Sequence, residues 1–125
     1  MVNDIERIGD HAENIADGAR SRIAENIELS EEAKHELTEM LAMVIKVTTY
    51  ALNMFCHNNL DHTQDILDLE EQIDEMEKQF HESHVQRLTR NECTARAGTL
   101  FTDIISGLER VSDHATNIAF SLQEH

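Results

Sequence analysis

Residues 6–16 read ERIGDHAENIA, and residues 109–119 read ERVSDHATNIA. Eight of the eleven positions are identical, and each copy places a Glu and an Asp four residues apart. These carboxylate pairs are Glu6 with Asp10 and Glu109 with Asp113. Residues four apart share one face of an α-helix, where like charges repel. The repeated pair therefore predicts helices that hold acids against a bound cation.

The rest of the chain is patterned for helices. Apolar residues recur every three or four positions along four segments, which predicts four amphipathic helices. The first segment carries Val2, Ile5, Ile8, Ala12, Ile15, Ala19 and Ile23. The second carries Leu37, Leu41, Val44, Val47, Ala51 and Phe55. The third carries Ile66, Leu69, Ile73, Met76, Phe80 and Leu88. The fourth carries Ala97, Leu100, Ile104, Leu108, Val111, Ala115, Ile118 and Leu122.

Polar stretches separate the four segments. Ser30, followed by two glutamates, is a signal for the start of the second helix, and Asp61 or Thr63 is the candidate cap of the third. Short connections make sequential helices antiparallel. We therefore expect an all-α, antiparallel four-helix bundle that forms a single domain over residues 1–125.

Composition narrows the possible partners. The formal charge of −15 argues against nucleic acid or an anionic membrane surface as a partner. No signal peptide is visible, and no apolar run approaches the roughly 20 residues of a membrane span. Cys56 and Cys93 are expected to be free thiols in a reducing compartment. The sequence thus predicts a cytoplasmic protein.

A third carboxylate pair lies in the middle of the chain. Glu70 and Asp74 have the same spacing, and like Glu109 and its partner they lie beside the apolar stripe. In an antiparallel bundle the two pairs are expected to converge on one site. All-oxygen ligands suit hard cations such as Mg, Mn, Ca or Fe, and bridging carboxylates permit a multinuclear site. His11 and His114 are candidate edge or outer ligands.

Three other interpretations stay open. The acids can form a solvated face neutralised by Arg7 and Arg110 without any metal. A ferritin-like di-metal enzyme needs two Glu-x-x-His motifs, and only Glu32 with His35 fits clearly. A purely structural helical module would mediate assembly and bind no specific metal.

The duplicated motif resembles the signature of the PhoU domain, an all-helical phosphate-signalling module. Residues 83–119, SHVQRLTRNECTARAGTLFTDIISGLERVSDHATNIA, are similar to the cytoplasmic C-terminal PhoU-like domain of bacterial Na/Pi cotransporter-family proteins. The Arg-Leu pair at 87–88, Cys93 and the Ala-Gly pair at 97–98 carry this resemblance. It extends over nearly the whole chain.

The resemblance implies a non-catalytic regulatory domain of phosphate homeostasis. PhoU domains are built from three-helix repeats whose paired motifs bind multinuclear iron or zinc clusters. Residues 1–26 then match the closing helix of an incomplete first repeat, and residues 30–123 match a second repeat. The metal ligands implied are Glu6, Asp10, Glu70, Asp74, Glu109 and Asp113. The helix that would face the Glu6 pair is absent unless another chain supplies it.

The resemblance also implies partners. It predicts contact with the membrane domain of a phosphate transporter or with a phosphate sensor, and tethering to the inner face of the plasma membrane in a full-length transporter. An uncovered apolar face on the incomplete repeat predicts a homodimer.

Overall fold

The computed structural model describes residues 2–57 and 62–121, except for the side chains of residues 2 and 21. Within these ranges the chain forms four long α-helices and no strand. They are α1 (Val2–Glu25), α2 (Glu31–His57), α3 (Thr63–Thr89) and α4 (Ala95–Ser121). The predicted all-α class and the number of helices are confirmed.

Helix α4 is the centre of the packing. It contacts each of the other three helices, α2 and α3 also pack against each other, and α1 packs mainly on α4. Tyr50 stacks on His62 near one end of the bundle and Arg87 pairs with Glu36 near the other, so α2 and α3 run antiparallel. The molecule is therefore a three-helix unit of α2, α3 and α4, with α1 lying along a further side of α4. The division into residues 1–26 and 30–123 stays a prediction.

The core lies between α2, α3 and α4. Its buried members are Ala33, Met40, Val44, Val47, Ala51, Met54, Ile66, Leu69, Ile73, Phe80, Phe101, Ile105, Leu108, Val111, Ala115 and Ala119. The periodicity predicted that Leu41 and Leu88 face the core, and both predictions are wrong. Met40 is fully buried whereas Leu41 is 45% exposed. Leu88 is 41% exposed because its neighbour Arg87 takes the inward position. An apolar residue on either side of the stripe fits the same spacing, so periodicity alone does not fix the inward face.

The first helix is much less covered than its pattern suggested. Ile8 and Ile15 pack against the core, but Ile5 is 46% and Ile23 is 78% exposed. By contrast Leu108, the counterpart of Ile5 in the second motif copy, is 3% exposed. Since α1 packs mainly on α4, only part of its apolar face is used.

Local hydrogen bonds explain where the helices begin. The Ser30 hydroxyl accepts a hydrogen bond from the Ala33 amide (3.1 Å), which confirms the predicted cap of α2. Thr94 caps α4 in the same way, through the Ala97 amide (3.1 Å). Helix α3 begins at Thr63 with His62 in the cap position, so Thr63 is not the cap, and Asp61 lies outside the described residues.

Two asparagines explain where helices end. Asn26 follows α1 and Asn91 follows α3, and both have positive φ angles, of 54° and 57°. Asparagine adopts this left-handed conformation more readily than most residues, and it closes a helix by satisfying its last carbonyls. The Ile27 amide accordingly donates to the Arg22 carbonyl (2.9 Å), and the Glu92 amide to the Arg87 carbonyl (2.8 Å).

Helix α2 is also long and apolar enough to cross a membrane by length and composition. The prediction that no segment is long and apolar enough for a membrane span is therefore wrong for α2. Core helices pass the same test. The buried face of α2, with Met40, Val47 and Met54 at its centre, is fully occupied by packing against the other helices.

Candidate metal centre

The acids of interest lie on the facing flanks of α3 and α4. On α3, Glu70 directly follows the buried Leu69, and Asp74 directly follows the buried Ile73. On α4, Glu109 follows the buried Leu108. A residue next to a buried position lies about 100° around the helix, at the edge of the contact. Packing of the core therefore turns these carboxylates toward the boundary between the two helices.

Three carboxylates come together at this boundary. Asp74, Glu109 and Asp113 each offer a carboxylate oxygen, and these oxygens all lie within 4.8 Å of one another. We call this group the carboxylate cluster. Two of its members are one turn apart on α4 and the third comes from α3, so the cluster depends on tertiary packing as well as on the local spacing.

Electrostatics at the cluster are unfavourable without a cation. Burial, and then a hydrogen bond and charge repulsion from Asp113, raise the pKa of Glu109 to about 8, with further contributions from Glu77 and Asp74. Glu109 therefore retains a proton near neutral pH in the metal-free protein. A carboxyl group raised this far is typical of sites where several acids compete for one proton.

Glu70 belongs to the same electrostatic neighbourhood. Burial first, and then the charges of Asp113 and Asp74, raise the pKa of Glu70 above its ordinary value. Glu70 is thus one turn from Asp74 and close enough to Asp113 to sense its charge. Glu70 therefore lies beside the carboxylate cluster without being one of its three members.

Among the described residues, no basic side chain forms an ion pair with the cluster. The Arg and Lys ion pairs of residues 2–57 and 62–121 all lie elsewhere. In particular, Arg110 does not pair with Asp74, Glu109 or Asp113 in this part of the chain. The interpretation in which guanidinium groups balance these acids therefore has no contact to support it at α3 and α4.

The first motif copy is placed differently. Glu6 and Asp10 lie exposed on α1 and join no group of three potential ligands among the described residues. The histidines that follow the two aspartates are not at the cluster either. His114 Nδ1 lies 2.9 Å from Asp4 Oδ1, and its ring stacks on His11 with ring centroids 5.5 Å apart. These histidines join α1 to α4.

The sequence analysis missed two acids that act on residues of the second motif copy. Glu77 acts on Glu109 from α3, and its position three residues after Asp74 on the same helix face was an available signal. Asp4, the partner of His114, precedes the repeated motif and had no comparable signal.

Comparisons with known proteins identify the family to which the chain belongs. Residues 37–122, which span α2, α3 and α4 almost entirely, match the PhoU domain model. The chain belongs to the PhoU domain family. No solved structure matches it significantly.

Two curated relatives support this assignment. The chain is 34% identical over 116 residues to the phosphate-specific transport system accessory protein PhoU homolog 1 of Thermotoga maritima, covering 93% of this chain and 49% of the relative. It is 25% identical over 121 residues to the phosphate-specific transport system accessory protein PhoU homolog of Clostridium acetobutylicum, covering 97% and 54%. The chain thus spans about half the length of the curated relatives it matches.

Proposed function

We propose that this chain is a metal-dependent regulatory domain of phosphate uptake, in which a cation bound by the carboxylate cluster joins α3 to α4. The observation that carries the proposal is the convergence of Asp74, Glu109 and Asp113, for which the described part of the chain provides no basic partner. A divalent cation removes the repulsion that otherwise holds a proton on Glu109. Cation occupancy is thereby coupled to the stability of the three-helix unit.

The donor set fits a hard cation. Asp74, Glu109, Asp113 and the nearby Glu70 supply only carboxylate oxygens, which suit Mg, Mn, Ca or Fe and can bridge more than one ion. The family resemblance favours iron or zinc. The carboxylates would bind the metal ion, and the ion would supply the positive charge that offsets their repulsion. Glu6 and Asp10 remain proposed as a second pair, for which a facing helix must come from elsewhere.

The regulatory role rests on family membership. Both curated relatives are named as accessory proteins of a phosphate-specific transport system. For this chain we propose an equivalent role in phosphate homeostasis, through contact with the membrane domain of a phosphate transporter or with a phosphate sensor. The resemblance of residues 83–119 further favours a Na/Pi cotransporter-type protein, and hence a cytoplasmic domain tethered at the membrane.

Homodimerisation is part of the same proposal. The exposed Ile5 and Ile23 leave apolar surface on α1, and the counterpart of Ile5 in α4 is buried by helix packing. A second chain that covers α1 would remove this surface from water. Light scattering after size-exclusion chromatography distinguishes the dimer, which we expect, from a monomer.

The geometry does not favour the ferritin-like enzyme. Glu32, half of the one clear Glu-x-x-His motif, lies 3.1 Å from the Arg87 guanidinium. Arg87 is thirteen residues beyond Asp74 on α3, about 20 Å along the helix. Glu32 is therefore engaged at the other end of the three-helix unit. An oxygen-consumption assay with Fe(II)-loaded protein should show no turnover.

Thermal melting of metal-free protein tests the proposal. Mn²⁺, Mg²⁺, Zn²⁺ and anaerobic Fe²⁺ are added separately, and at least one should raise the melting temperature with a saturable dependence on concentration. Glu109→Gln with Asp113→Asn should abolish this response while circular dichroism still reports a helical fold.

The first motif copy provides a matched control. Glu6→Gln with Asp10→Asn makes the same chemical change in the same local sequence, but at exposed positions outside the cluster. This variant should keep the saturable response of the carboxylate cluster and lose at most the share that a second pair at Glu6 and Asp10 contributes. An equal loss in both variants, or an unchanged response in the α4 variant, would show that the cluster is not the metal site.

A further inference from the structure

The duplicated motif repeats an Arg, a His and an Asn that the carboxylate cluster does not use. Each residue of the first copy corresponds to the residue 103 positions later. Asp4 contacts His114 and Gly18 lies against Leu100, so α1 and α4 run antiparallel. The two copies meet at the stacked rings of His11 and His114. The two helices are therefore related by an approximate two-fold rotation about this pair, and each position on one side corresponds to a position on the other.

On one side of this axis, a carboxylate from α1 contacts the His and the Asn of the second motif copy. His114 Nδ1 lies 2.9 Å from Asp4 Oδ1, and the Asn117 amide donates to the same oxygen at 3.4 Å. The hydrogen bond from His114 is the largest of the effects that lower the pKa of Asp4. The His and Asn of the second copy thus together hold an oxyanion, which is supplied by α1.

On the other side, the carboxylate is missing. The counterpart of Asp4 is Gly107, which has no side chain. The Ile15 side chain lies 3.1 Å from the position that a Cβ on Gly107 would take, and a cavity of about 360 Å³ opens beside these two residues. Its lining includes His11 and Asn14, the counterparts of His114 and Asn117. Among the described residues, no side-chain hydrogen bond engages His11 or Asn14.

Basic side chains lie at the cavity beside the hydrogen-bond donors. Arg110 and Ser106 also line it, and Arg7 lies close enough to act on His11. Asp103 is the acid in the lining and weakens anion binding.

We propose that the cavity between α1 and α4 binds a small oxyanion, a carboxylate or a phosphate, which contacts His11 and Asn14 as Asp4 contacts His114 and Asn117 on the opposite side. The His11 ring and the Asn14 amide donate hydrogen bonds to it, and Arg110 contributes positive charge. The cavity is open to solvent and contains Asp103, so we expect weak binding. This site is separate from the carboxylate cluster and does not depend on a bound metal.

NMR of the histidine rings in metal-free protein provides the test. Sodium acetate and sodium phosphate are titrated separately at pH 7.5, with ionic strength held constant by sodium chloride. We expect a saturable shift of the His11 ring resonances in at least one titration, and the comparison shows which oxyanion is preferred. A shift that stays linear in both titrations would overturn the proposal.

Substitutions test whether the shift of the His11 resonances arises at this cavity. Asn14→Ala should weaken binding about tenfold, because a hydrogen bond to a charged ligand is lost, whereas Asn53→Ala on the exposed face of α2 should leave it unchanged. Asp4→Ala should open the symmetry-related position and add a saturable response at His114. Equal binding by the Asn14 and Asn53 variants would contradict the assignment. If Asp4→Ala loses helical content, the Asn14 result decides alone.

A last variant separates this site from the metal site. Glu109→Gln with Asp113→Asn should bind the oxyanion as the natural chain does. Loss of the oxyanion response in this variant would mean that it arises at the carboxylate cluster and would overturn the proposal, without affecting the metal assignment.

Discussion

The side chains of Glu109 and Asp113 are hydrogen-bonded to each other one turn apart on α4, at the point where Asp74 of α3 meets them. Burial and this hydrogen bond raise the pKa of Glu109 to about 8, so the pair holds a proton near neutral pH. A proton and a metal ion are alternative ways to supply positive charge at the same place. Metal binding is therefore expected to release protons and to strengthen with pH.

The raised pKa of Glu109 predicts how pH changes stability without metal. A carboxyl group whose pKa is higher in the folded state stabilises the fold below its unfolded value of 4.5, and this contribution is lost as pH rises to about 8. Replacing Glu109 by Gln removes the titration. The melting temperature of Glu109→Gln minus that of the natural chain should therefore increase by a few degrees between pH 4.5 and 8.

Comparing the two proteins at each pH removes contributions from other titrating groups. Both are measured in chelator-treated, gel-filtered samples by differential scanning calorimetry. A difference that is flat or decreases with pH would show that Glu109 titrates near its ordinary value in the folded chain.

The buried ion pair of Arg87 predicts a large loss of stability on truncation. Arg87 is 3% exposed, its Nη1 lies 2.8 Å from Glu36 Oε1, and its guanidinium carbon lies 4.8 Å from the centre of the Phe101 ring. Arg87→Ala leaves Glu36 buried without a partner, which should cost about 3–5 kcal/mol in the free energy of unfolding. Urea denaturation measures this.

The neighbouring Arg90 is the matched control for that change. Its side chain is exposed, so Arg90→Ala should alter the free energy of unfolding by no more than about 0.5 kcal/mol. Similar effects of the two substitutions would contradict the structural role assigned to Arg87.

Close packing at Gly98 predicts different effects for two chemically identical changes. A methyl group at Gly98 would overlap with the His84 ring, whereas a methyl group at Gly9 meets nothing within 4 Å. Overpacking typically costs about 1–3 kcal/mol. Replacing a mid-helix glycine by alanine gains about 0.5–1 kcal/mol where space allows. Gly9→Ala should therefore stabilise the chain.

We expect Gly98→Ala to be at least about 1 kcal/mol less stable than Gly9→Ala, because the helix-propensity gain is common to both. Chemical denaturation of the two variants side by side measures the difference. Equal stabilities would mean that His84 moves aside freely.

Much of this arrangement could be predicted from the sequence, because it follows from spacing. The i, i+4 acids define helix faces, and Ser30 defines the start of α2. Other features depend on which helix packs against which. Both Met40 and Leu41 fit an apolar stripe, and only the position of α4 decides that Met40 is inside.

The two motif copies show most clearly that sequence spacing does not determine which helices pack together. Their sequences are nearly identical, yet Asp113 meets Asp74 of α3 whereas Asp10 is exposed on α1. The difference arises from the neighbours that each helix contacts, which the motif itself does not encode. The cavity opposite Gly107 likewise appears only when both copies are brought together.

The central claim is that Asp74, Glu109 and Asp113 hold a metal ion. Elemental analysis of protein purified without chelator tests it most directly, with the natural chain and the Glu109→Gln, Asp113→Asn variant prepared in parallel. The account predicts stoichiometric metal in the natural chain and background levels in the variant. Equal metal content in the two proteins, or background levels in both after reconstitution with each candidate cation, would contradict it.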